Sequence, residues 1–473
     1  MRLLFATSVL LTFLIALPNV FGLQITTEDV WMGIYSGDQK IGYSHSVIEP
    51  MANGTKIVEE STLRMTVLGA DQDVRIKSAY FLNNYKIQGF EFSMSAGSVQ
   101  LEAKGEREGK DLKIEINSVS GKTNISFPLK DEPLVSPLLH KWLIDQKPNV
   151  GSEYEVTLFD PASVLTGAKP ETLKARLRVE GKEAVNIPLG SFQTYRVKMD
   201  FTGSEFTSWI TEKGEVIKEI SPPGLTAYKE TEGMVLGESL YSFNIVEKTA
   251  ISSNVPLENA RGLKSLRVKL DGIGSTDGLD LDDDNRQFYK DGILEIRVGE
   301  LSQIKSYAIP YSEGEFEPYL KPTSLIQSGN PKIANRAKDI LSGEKDSVRV
   351  VQKINDWVYK NLEKVATLSI PNALDVLETR KGDCNEHATL FAALSRAAGI
   401  PTRIALGVVF LDGKFYYHAW DEVFVGGWIA VDPTFGQVPA DASHIKLIEG
   451  DLSKSSEIMR LVGNIKLEIE DAS

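Results

Sequence analysis

The stretch that decides the fold is residues 381–387, which read Lys-Gly-Asp-Cys-Asn-Glu-His and contain the one cysteine of the chain, Cys384. Cys384 opens a run of apolar residues at helical spacing. His418 follows in Tyr-His-Ala-Trp-Asp-Glu-Val (417–423), and Asp432 follows in Trp-Ile-Ala-Val-Asp-Pro-Thr (428–434). Both later stretches are typical of strands. A thiol at a helix start, followed by a histidine and an aspartate on strands, is what acyl transfer through a cysteine requires.

The sequence around this stretch predicts helices first and an antiparallel sheet afterwards. After about residue 314 the apolar period changes from 2 to 3.6, and caps and glycines mark the element ends. Helices are predicted at 331–340, from 346 or 347 to about 362, at 372–379 and at 384–398; strands are predicted at 403–411, 415–425 and 428–432. This order indicates an α+β fold.

The chain before this part is predicted to be rich in β-structure. Short alternating runs separated by Gly, Asn and Asp fill residues 23–249, which predicts a large antiparallel sheet or partly closed barrel with one helix near 135–146. A small β segment is expected at 250–313. The predicted domains are therefore a signal peptide (1–22), a β-rich domain (23–249), the small β segment (250–313) and an α+β domain (314–473, core 330–440).

Composition narrows the class of protein. The 473 residues exceed what one hydrophobic core serves, so two or three domains are expected. With 42% hydrophobic and 25% charged residues, the chain has the composition of an ordinary globular protein. A net charge of −13 argues against nucleic acid and against an anionic membrane surface as partners. One cysteine allows no intramolecular disulfide, so an unpaired thiol in an exported protein points to reactivity.

The first 22 residues have the pattern of a secretory signal. Arg2 precedes an apolar run at 3–17, Pro18 ends the run, and residues 20–22 suit cleavage before Leu23. The alternative is an uncleaved anchor, but the run is shorter than the ~20 residues that a spanning helix needs. We therefore expect an exported protein, periplasmic or extracellular, with no membrane insertion after signal cleavage.

The proposed chemistry makes a geometric demand on the hairpin that carries His418 and Asp432. Asp383 is the expected N-cap, which directs the positive end of the helix dipole at the Cys384 sulfur, and an imidazole would complete a thiolate–imidazolium pair. A three-residue connection at Gly426-Gly427 puts His418 diagonal to Asp432 on one face. A two-residue connection would put the two side chains on opposite faces. The triad therefore predicts a three-residue turn or a bulge.

Supporting roles can be predicted for other residues near these motifs. The Cys384 backbone N–H is the expected oxyanion donor, and the second donor is unidentified, with Trp357 and Asn372 considered because they precede the cysteine. Trp420 and Trp428 are predicted cleft walls, and Glu386 and Glu422 are predicted to form structural ion pairs. The remaining histidines of this region are expected on a polar helix face (His387) and as a hydrogen-bonding loop or strand residue (His444).

No cofactor or metal is expected. One cysteine and scattered histidines do not supply zinc-like ligand spacing. Residues 280–291 place acidic side chains at some calcium-loop positions, but Asn285 stands where the loop needs glycine, and Asp291 stands where it needs glutamate. A solvated acidic loop is the preferred interpretation.

These motifs resemble the transglutaminase-like superfamily, which has a papain-type fold. The matching stretches are residues 382–388, 396–403, 418–423 and 428–434, so the resemblance covers roughly 330–440. It implies Cys384 as nucleophile, His418 as base and Asp432 as orienting acid. Residues 31–35 and 190–195 resemble, more weakly, the N-terminal part of bacterial envelope proteins that carry this domain. The immunoglobulin-like and barrel domains of animal transglutaminases are not apparent, which argues against calcium-dependent protein cross-linking.

Three functions remain open from the sequence. The first is an exported peptidase or amidase, in which water releases an acyl group from Cys384. The second is a transamidase acting on protein glutamine or cell-envelope acyl groups. The third is a non-catalytic binding or scaffold module of the envelope, which the large β-rich part favours. The expected partner is a protein, peptide or cell-envelope amide substrate.

Overall fold

The structure is a computed structural model that describes residues 27–473 apart from 68–69, 97–98, 119–120, 130–131, 163–172, 202, 283–285, 366–371, 451–453, 455–456 and 459. The predicted signal peptide (1–22) lies outside these residues, as does part of the acidic loop. The chain divides into two compact units, Met1–Ile245 and Val246–Ser473. Within the described ranges, no helix is long and apolar enough to cross a membrane.

The first unit is built on one sheet of fifteen strands. Its strands are β1 (Glu28–Ser36), β2 (Gln39–Met51), β3 (Gly54–Val67), β4 (Ala70–Asn83), β5 (Lys86–Ala96), β6 (Val99–Glu108), β7 (Asp111–Ser118), β8 (Gly121–Pro128), β9 (Leu134–Val135), β10 (Glu153–Phe159), β11 (Leu173–Ile187), β12 (Gly190–Phe201), β13 (Ser204–Ile210), β14 (Val216–Ser221) and β15 (Leu225–Glu230). Two meanders, β1 to β8 and β10 to β15, join where β1 pairs with β15. All pairs are antiparallel except β9 with β10. The prediction of a large antiparallel sheet is confirmed.

Short helices also accompany the sheet among the described residues. They are α1 (Leu139–Asp145), α2 (Glu232–Leu236) and α3 (Ile245–Thr249), the last of which crosses the boundary between the units. A 3₁₀ turn at Ser136–Leu138 precedes α1, so the helix predicted near 135–146 is present.

One face of this sheet buries ionisable groups as well as apolar ones. Glu59 on β3 is 2% exposed, and neither of its carboxylate oxygens has a hydrogen-bond partner among the described residues. It lies opposite Ser46 on β2 and Ser78 on β4. Burial, and then the charges of Asp160 and Glu219, raise the pKa of Glu59 well above its ordinary value. The folded protein therefore holds this side chain protonated where the unfolded chain ionises it.

Replacing Glu59 by Gln is expected to stabilise the protein at neutral and alkaline pH. A raised folded-state pKa contributes stability below the unfolded value of ~4.3 and loses it as pH rises toward the folded value, by ~1.4 kcal/mol per pH unit. The difference in unfolding free energy between Glu59→Gln and wild type should therefore grow between pH 4 and pH 8 in urea titrations. Glu60→Gln, on the exposed face next to it, is the matched control. Parallel pH profiles for Glu59→Gln and wild type would contradict this account.

The second unit has a series of helices between residues 331 and 397 in the described part of the chain. They are α4 (Pro331–Leu341), α5 (Ser347–Asn361), α6 (Ala373–Thr379) and α7 (Cys384–Ala397). Asn330, Asp346, Asn372 and Asp383 are the N-caps, and each accepts a backbone N–H with its side chain. The predicted helices are confirmed to within two residues at each boundary, because caps of this kind are local in sequence.

The strands of the second unit form three sheets. They are β16 (Ile251–Ser252), β17 (Ser265–Asp271), β18 (Gln287–Lys290), β19 (Ile293–Arg297), β20 (Glu363–Lys364), β21 (Lys381–Gly382), β22 (Thr402–Leu411), β23 (Lys414–Phe424), β24 (Trp428–Val431), β25 (Ile445–Glu449) and β26 (Lys466–Ala472). The main sheet has the order β16-β23-β22-β25, with β24 on β23, and α7 packs against β22 and β23. Short 3₁₀ turns lie at Ala260–Gly262, Leu301–Gln303 and Gly314–Tyr319.

The domain prediction needs one correction. The 250–313 segment is not separate, since β17, β18 and β19 form a four-stranded sheet with the C-terminal strand β26 inside the second unit. Sequence alternation identified the segment as β-structure but could not show a partner about 200 residues later. The α+β plan describes the second unit, whereas the chain as a whole consists mostly of strands.

Candidate active site

Cys384 is the first residue of α7, and a capping box holds it there. Oδ1 of Asp383 accepts the Asn385 N–H at 2.9 Å, and Oε2 of Glu386 accepts the Asp383 N–H at 2.9 Å. Gly382 is required before the cap, because a Cβ at this position would lie 2.1 Å from the Glu386 Cβ. Glu386 therefore caps the helix. As the first helical residue, Cys384 has a backbone N–H without an acceptor in its own helix.

The Cys384 sulfur is held against β23. It accepts a hydrogen bond from the backbone N–H of Ala419, the residue after His418. The residue as a whole is partly exposed, whereas its sulfur points into the protein against this strand. The structure thus brings the nucleophile candidate to the strand that carries the base candidate.

The β23–β24 hairpin has the register that the triad requires. Phe424 pairs with Trp428, so residues 425–427 form a three-residue connection, as predicted. Gly426 has a φ of 108°, and a Cβ there would lie 2.2 Å from the Lys305 carbonyl oxygen, so only glycine fits. In this register Nε2 of His418 donates to Oδ2 of Asp432 at 2.8 Å.

Asp432 accepts four hydrogen bonds in a fully buried position. The backbone N–H groups of Thr434 and Phe435 donate to Oδ1 at 2.7 and 3.0 Å. His418 and His444 both donate from Nε2 to Oδ2, at 2.8 and 2.9 Å. Burial by itself raises the pKa of Asp432, but the charges and hydrogen bonds of the two histidines hold it well below its ordinary value. Asp432 is thus a fixed carboxylate.

Sequence reasoning missed the contact between His444 and Asp432. The sequence predicted a loop or strand hydrogen bond for His444, but it did not predict Asp432 as the partner, because no hairpin joins the two residues. The chain instead turns back after Asp432, since Asp432 and Gln437 exchange backbone hydrogen bonds and Ala440 donates to the Ala430 carbonyl oxygen at 2.8 Å. His444 is thereby brought under Asp432 with 0% exposure. The three-residue spacing between Asp441 and His444 in Asp-Ala-Ser-His (441–444) is the sequence feature that could have indicated a hydrogen-bonded role for His444.

Phe435 is a second residue that the sequence did not reveal. Its ring stacks on the His418 imidazole, with centroids 5.1 Å apart and planes 17° apart. The Arg261 guanidinium lies 4.6 Å from the Phe435 ring centroid. Phe435 follows Asp432 by three residues, so the same turn that donates to Asp432 also confines the His418 ring.

The prediction that Trp420 lines the cleft is wrong. Its side chain is 0% exposed and packs in a core cluster with Ala405, Ala430 and Ala440. Its ring meets the His444 ring edge-on, with centroids 5.3 Å apart. Trp420 therefore supports the site from inside the sheet.

The prediction for Trp428 is also wrong. Trp428 pairs with Phe424, which is six residues along β23 from His418, roughly 20 Å at ordinary strand rise. Its ring contacts Tyr319 at a centroid distance of 5.3 Å, and the Arg403 guanidinium lies 4.4 Å from its centroid. Trp428 thus belongs to an aromatic cluster at the far end of the hairpin.

The side chains of the two residues considered for the second oxyanion donor contact groups other than the Cys384 sulfur. Oδ1 of Asn372 accepts the Asp375 N–H at 3.0 Å, and its Nδ2 donates to the Asp375 carboxylate at 2.5 Å. The Trp357 ring lies against the guanidinium groups of Arg336 and Arg380, at 5.6 and 4.5 Å. The second donor is therefore not identified.

Two further assignments are settled by contacts. His387 is fully buried rather than on a polar face, with Nδ1 2.7 Å from the Asp383 carbonyl oxygen. Glu422 forms the predicted ion pairs, accepting from Lys446 at 2.8 Å and from Arg403 at 2.7 Å. Lys446 also pairs with Asp280 of the acidic loop at 2.6 Å.

The polar side chains of this site form hydrogen bonds with one another and do not need a metal ion to satisfy them. Among the residues that the structure describes, the one compact group of three potential ligands is His418, Asp432 and His444, whose ligand atoms lie within 4.8 Å of one another. Both imidazoles direct their Nε2 at the same carboxylate oxygen at hydrogen-bond distance. These atoms therefore satisfy one another as donors and acceptor.

The environment of the Cys384 thiol differs from the sequence expectation of a lowered pKa. Burial, and next the negative charge of Asp383, raise the pKa of the thiol well above its ordinary value, although the Ala419 N–H acts in the opposite direction. The raised pKa favours the neutral thiol, so a base must remove its proton during the reaction.

Asp383→Asn is expected to shift iodoacetamide alkylation of Cys384 to lower pH. Asparagine keeps the N-cap but removes the charge that raises the thiol pKa, so alkylation near neutral pH should be several-fold faster. Mass spectrometry across a pH series measures the rate. Glu386→Gln keeps the capping box and removes a weaker contribution, so it should give a smaller shift in the same direction. An unchanged profile in Asp383→Asn would show that this charge does not act on the sulfur.

Comparison with known proteins is consistent with this geometry. A sequence profile of the transglutaminase-like superfamily matches residues 334–433. The chain is also similar to a protein-glutamine gamma-glutamyltransferase of Pseudomonas aeruginosa, with 29% identity over 132 residues. This similarity covers 24% of the chain and 20% of the relative, so the chain spans about a fifth of that relative's length.

Solved structures similar to this chain are distant. A putative cysteine protease from Cytophaga hutchinsonii has 19% identity and a TM-score of 0.31, covering 45% of this chain and 85% of its own. The periplasmic domain of TgpA from Pseudomonas aeruginosa, solved with ethylmercury, has 16% identity and a TM-score of 0.27, covering 40% of this chain and 90% of its own.

The profile match spans the cysteine helix and the hairpin that holds His418, and it ends one residue after Asp432. The match to the transglutaminase-like superfamily thus lies within the second unit, at residues 334–433.

Proposed function

We propose that the protein is an exported cysteine hydrolase of amide bonds, periplasmic or extracellular, in which Cys384, His418 and Asp432 form the catalytic triad. The proposal depends on the 2.8 Å hydrogen bond from His418 to Asp432. The residue after His418, Ala419, donates its backbone N–H to the Cys384 sulfur, so the same strand contacts the nucleophile. The substrate class is a protein, peptide or cell-envelope amide. The net charge of −13 supports excluding nucleic acid.

The ring nitrogens of His418 have separate roles in this mechanism. Nε2 is engaged by Asp432, so Nδ1 is the nitrogen that takes the proton of Cys384. Asp432 stabilises the imidazolium that forms and keeps the ring in one tautomer. Because the raised pKa favours the neutral thiol, the proton moves as the sulfur attacks the amide carbonyl carbon.

The acyl transfer then proceeds through a thioester. The carbonyl oxygen becomes an oxyanion that accepts from the Cys384 backbone N–H. When the carbon–nitrogen bond breaks, His418 gives its proton to the leaving amine. A water molecule then loses a proton to His418 and attacks the thioester carbon. The carbon–sulfur bond breaks, the acid is released, and His418 returns the proton to the Cys384 sulfur.

Transamidation is the second candidate function. In that case an amine attacks the same thioester and a new amide forms. The similarity to a protein-glutamine gamma-glutamyltransferase, over 24% of this chain, favours it.

The test combines a substrate-independent probe with casein, which presents both peptide bonds and glutamine carboxamides. Iodoacetamide alkylation of Cys384 should slow in His418→Ala, since the base is lost. Shorter casein peptides would indicate a peptidase, ammonia release a glutamine amidase, and incorporation of dansylcadaverine a transamidase. Alkylation that is indifferent to His418, together with unchanged casein, would contradict the proposal and favour a binding module.

A further inference from the structure

Asp432 is shared by two buried imidazoles. Its Oδ2 accepts from His418 and His444 at nearly equal distances, 2.8 and 2.9 Å, and the two ring centroids are 5.8 Å apart. His444 is 0% exposed and Asp432 is 0% exposed. A triad needs one histidine on its carboxylate, so the second imidazole is an additional feature of this site.

His444 has an acceptor at each ring nitrogen. Nδ1 lies 3.2 Å from the Asp441 carbonyl oxygen and 3.4 Å from Oδ1 of the Asp441 carboxylate. A neutral imidazole donates from one nitrogen, whereas the imidazolium donates from both. The surroundings therefore match the charged form. Burial lowers the pKa of His444, but the hydrogen bonds and charges of Asp432 and Asp441 outweigh it and raise the pKa above its ordinary value.

Several charged groups face this histidine. Behind it, Arg261 pairs with the Asp441 carboxylate at 3.0 Å, and Arg286 donates to the carbonyl oxygens of Asp441 and His444 at 2.7 and 3.1 Å. The titratable and charged groups that face His444 are thus His418 on β23, Asp432 after β24, Asp441 in its own loop, and Arg261 and Arg286 from the preceding chain. The two carboxylates lie on either side of the ring.

We propose that His444 is a positioning residue that acts through Asp432: it holds the carboxylate between two donors and competes with His418 for the same carboxylate oxygen. The inference rests on the proposed function, in which His418 must be neutral to accept the Cys384 proton. A positive ring 5.8 Å from His418 opposes a second positive charge there. The two rings are therefore coupled through the one carboxylate oxygen that both contact.

The test follows the five histidines of the full chain by ¹H–¹⁵N NMR across a pH series. His444→Gln leaves an amide donor for Asp432 but removes the charge, so His418 should take up its proton at higher pH than in wild type. His45→Gln, in the first unit, is the matched control and should leave that titration in place. An unmoved His418 titration in folded His444→Gln would overturn the proposal.

A second variant changes the surroundings of His444 without changing the residue at position 432. Asp441→Asn weakens the charged form of His444 and should move the His418 titration in the same direction, by less, even if His444→Gln fails to fold. A merely structural role would lower the thermal unfolding midpoint without moving the titration. Resonances of His418 and His444 that change on EDTA treatment would also overturn the proposal, because a metal rather than Asp432 would then join the rings.

Turnover and alkylation measurements distinguish a failure of this inference from a failure of the proposed function. With casein, the acid limb of kcat/KM should move to higher pH in His444→Gln, and His444→Ala should lose up to about 100-fold, the cost of a misplaced catalytic group. A coupled titration with no effect of His418→Ala on Cys384 alkylation would refute the proposed function alone. An uncoupled titration with His418-dependent alkylation would refute the role of His444 alone.

Discussion

Replacing Cys384 by Ala is expected to lower turnover by about 10⁶-fold, the cost of removing the nucleophile from a comparable triad. No other side chain of the chain can form the thioester, since Cys384 is the one cysteine. Little loss of stability is expected because the side chain is small and the residue is partly exposed. Casein turnover and the mass of acid-quenched protein measure the two consequences, and the acyl adduct seen in wild type should be absent.

The control for this substitution lies on the same helix. Ser395→Ala removes a buried hydroxyl that has no hydrogen-bond partner in the described part of the chain, eleven residues after Cys384. It should leave turnover within a few-fold of wild type. Turnover in Cys384→Ala comparable with that of Ser395→Ala would mean that the cysteine is not the nucleophile.

Asn in place of Asp432 is expected to reduce kcat by about 10⁴-fold, as the equivalent change does in a Ser-His-Asp triad. Asn still accepts the Thr434 and Phe435 N–H groups on Oδ1, so the backbone turn is kept. Its amide nitrogen, however, would face two imidazole Nε2 donors, which forces His418 into the other tautomer or orientation. Casein turnover with a thermal unfolding measurement separates this chemical effect from loss of fold.

A matched aspartate substitution is available on the neighbouring turn. Asp412→Asn lies between β22 and β23 at a φ of 47°, a conformation that asparagine adopts readily. This exposed variant should retain wild-type turnover. If Asp432→Asn lost less than tenfold, Asp432 would not be the residue that orients His418.

The elements that the sequence predicted well are governed by local rules. The caps at Asn330, Asp346 and Asp383 involve residues within one helical turn, so their residue types are enough to identify helix starts. The sequence left two- and three-residue connections at Gly426-Gly427 open, and the triad geometry predicted three. The structure has three residues there, which brings His418 to Asp432.

The features that the sequence did not reveal depend on burial and on contacts distant in the chain. Trp420 is core rather than cleft because Ala405, Ala430 and Ala440 close over it from three different segments. The thiol pKa is raised because desolvation outweighs the local effects that the sequence displays.

The sequence by itself predicted the helix–hairpin framework and indicated Cys384, His418 and Asp432 as candidates, because caps, apolar periodicity and turn glycines are local in sequence. Only the tertiary structure decided that His444 shares Asp432, that Phe435 confines His418 and that β26 completes the sheet of the 250–313 segment. These contacts depend on where the chain returns after a turn, and that path is set by packing of the whole unit rather than by any local pattern.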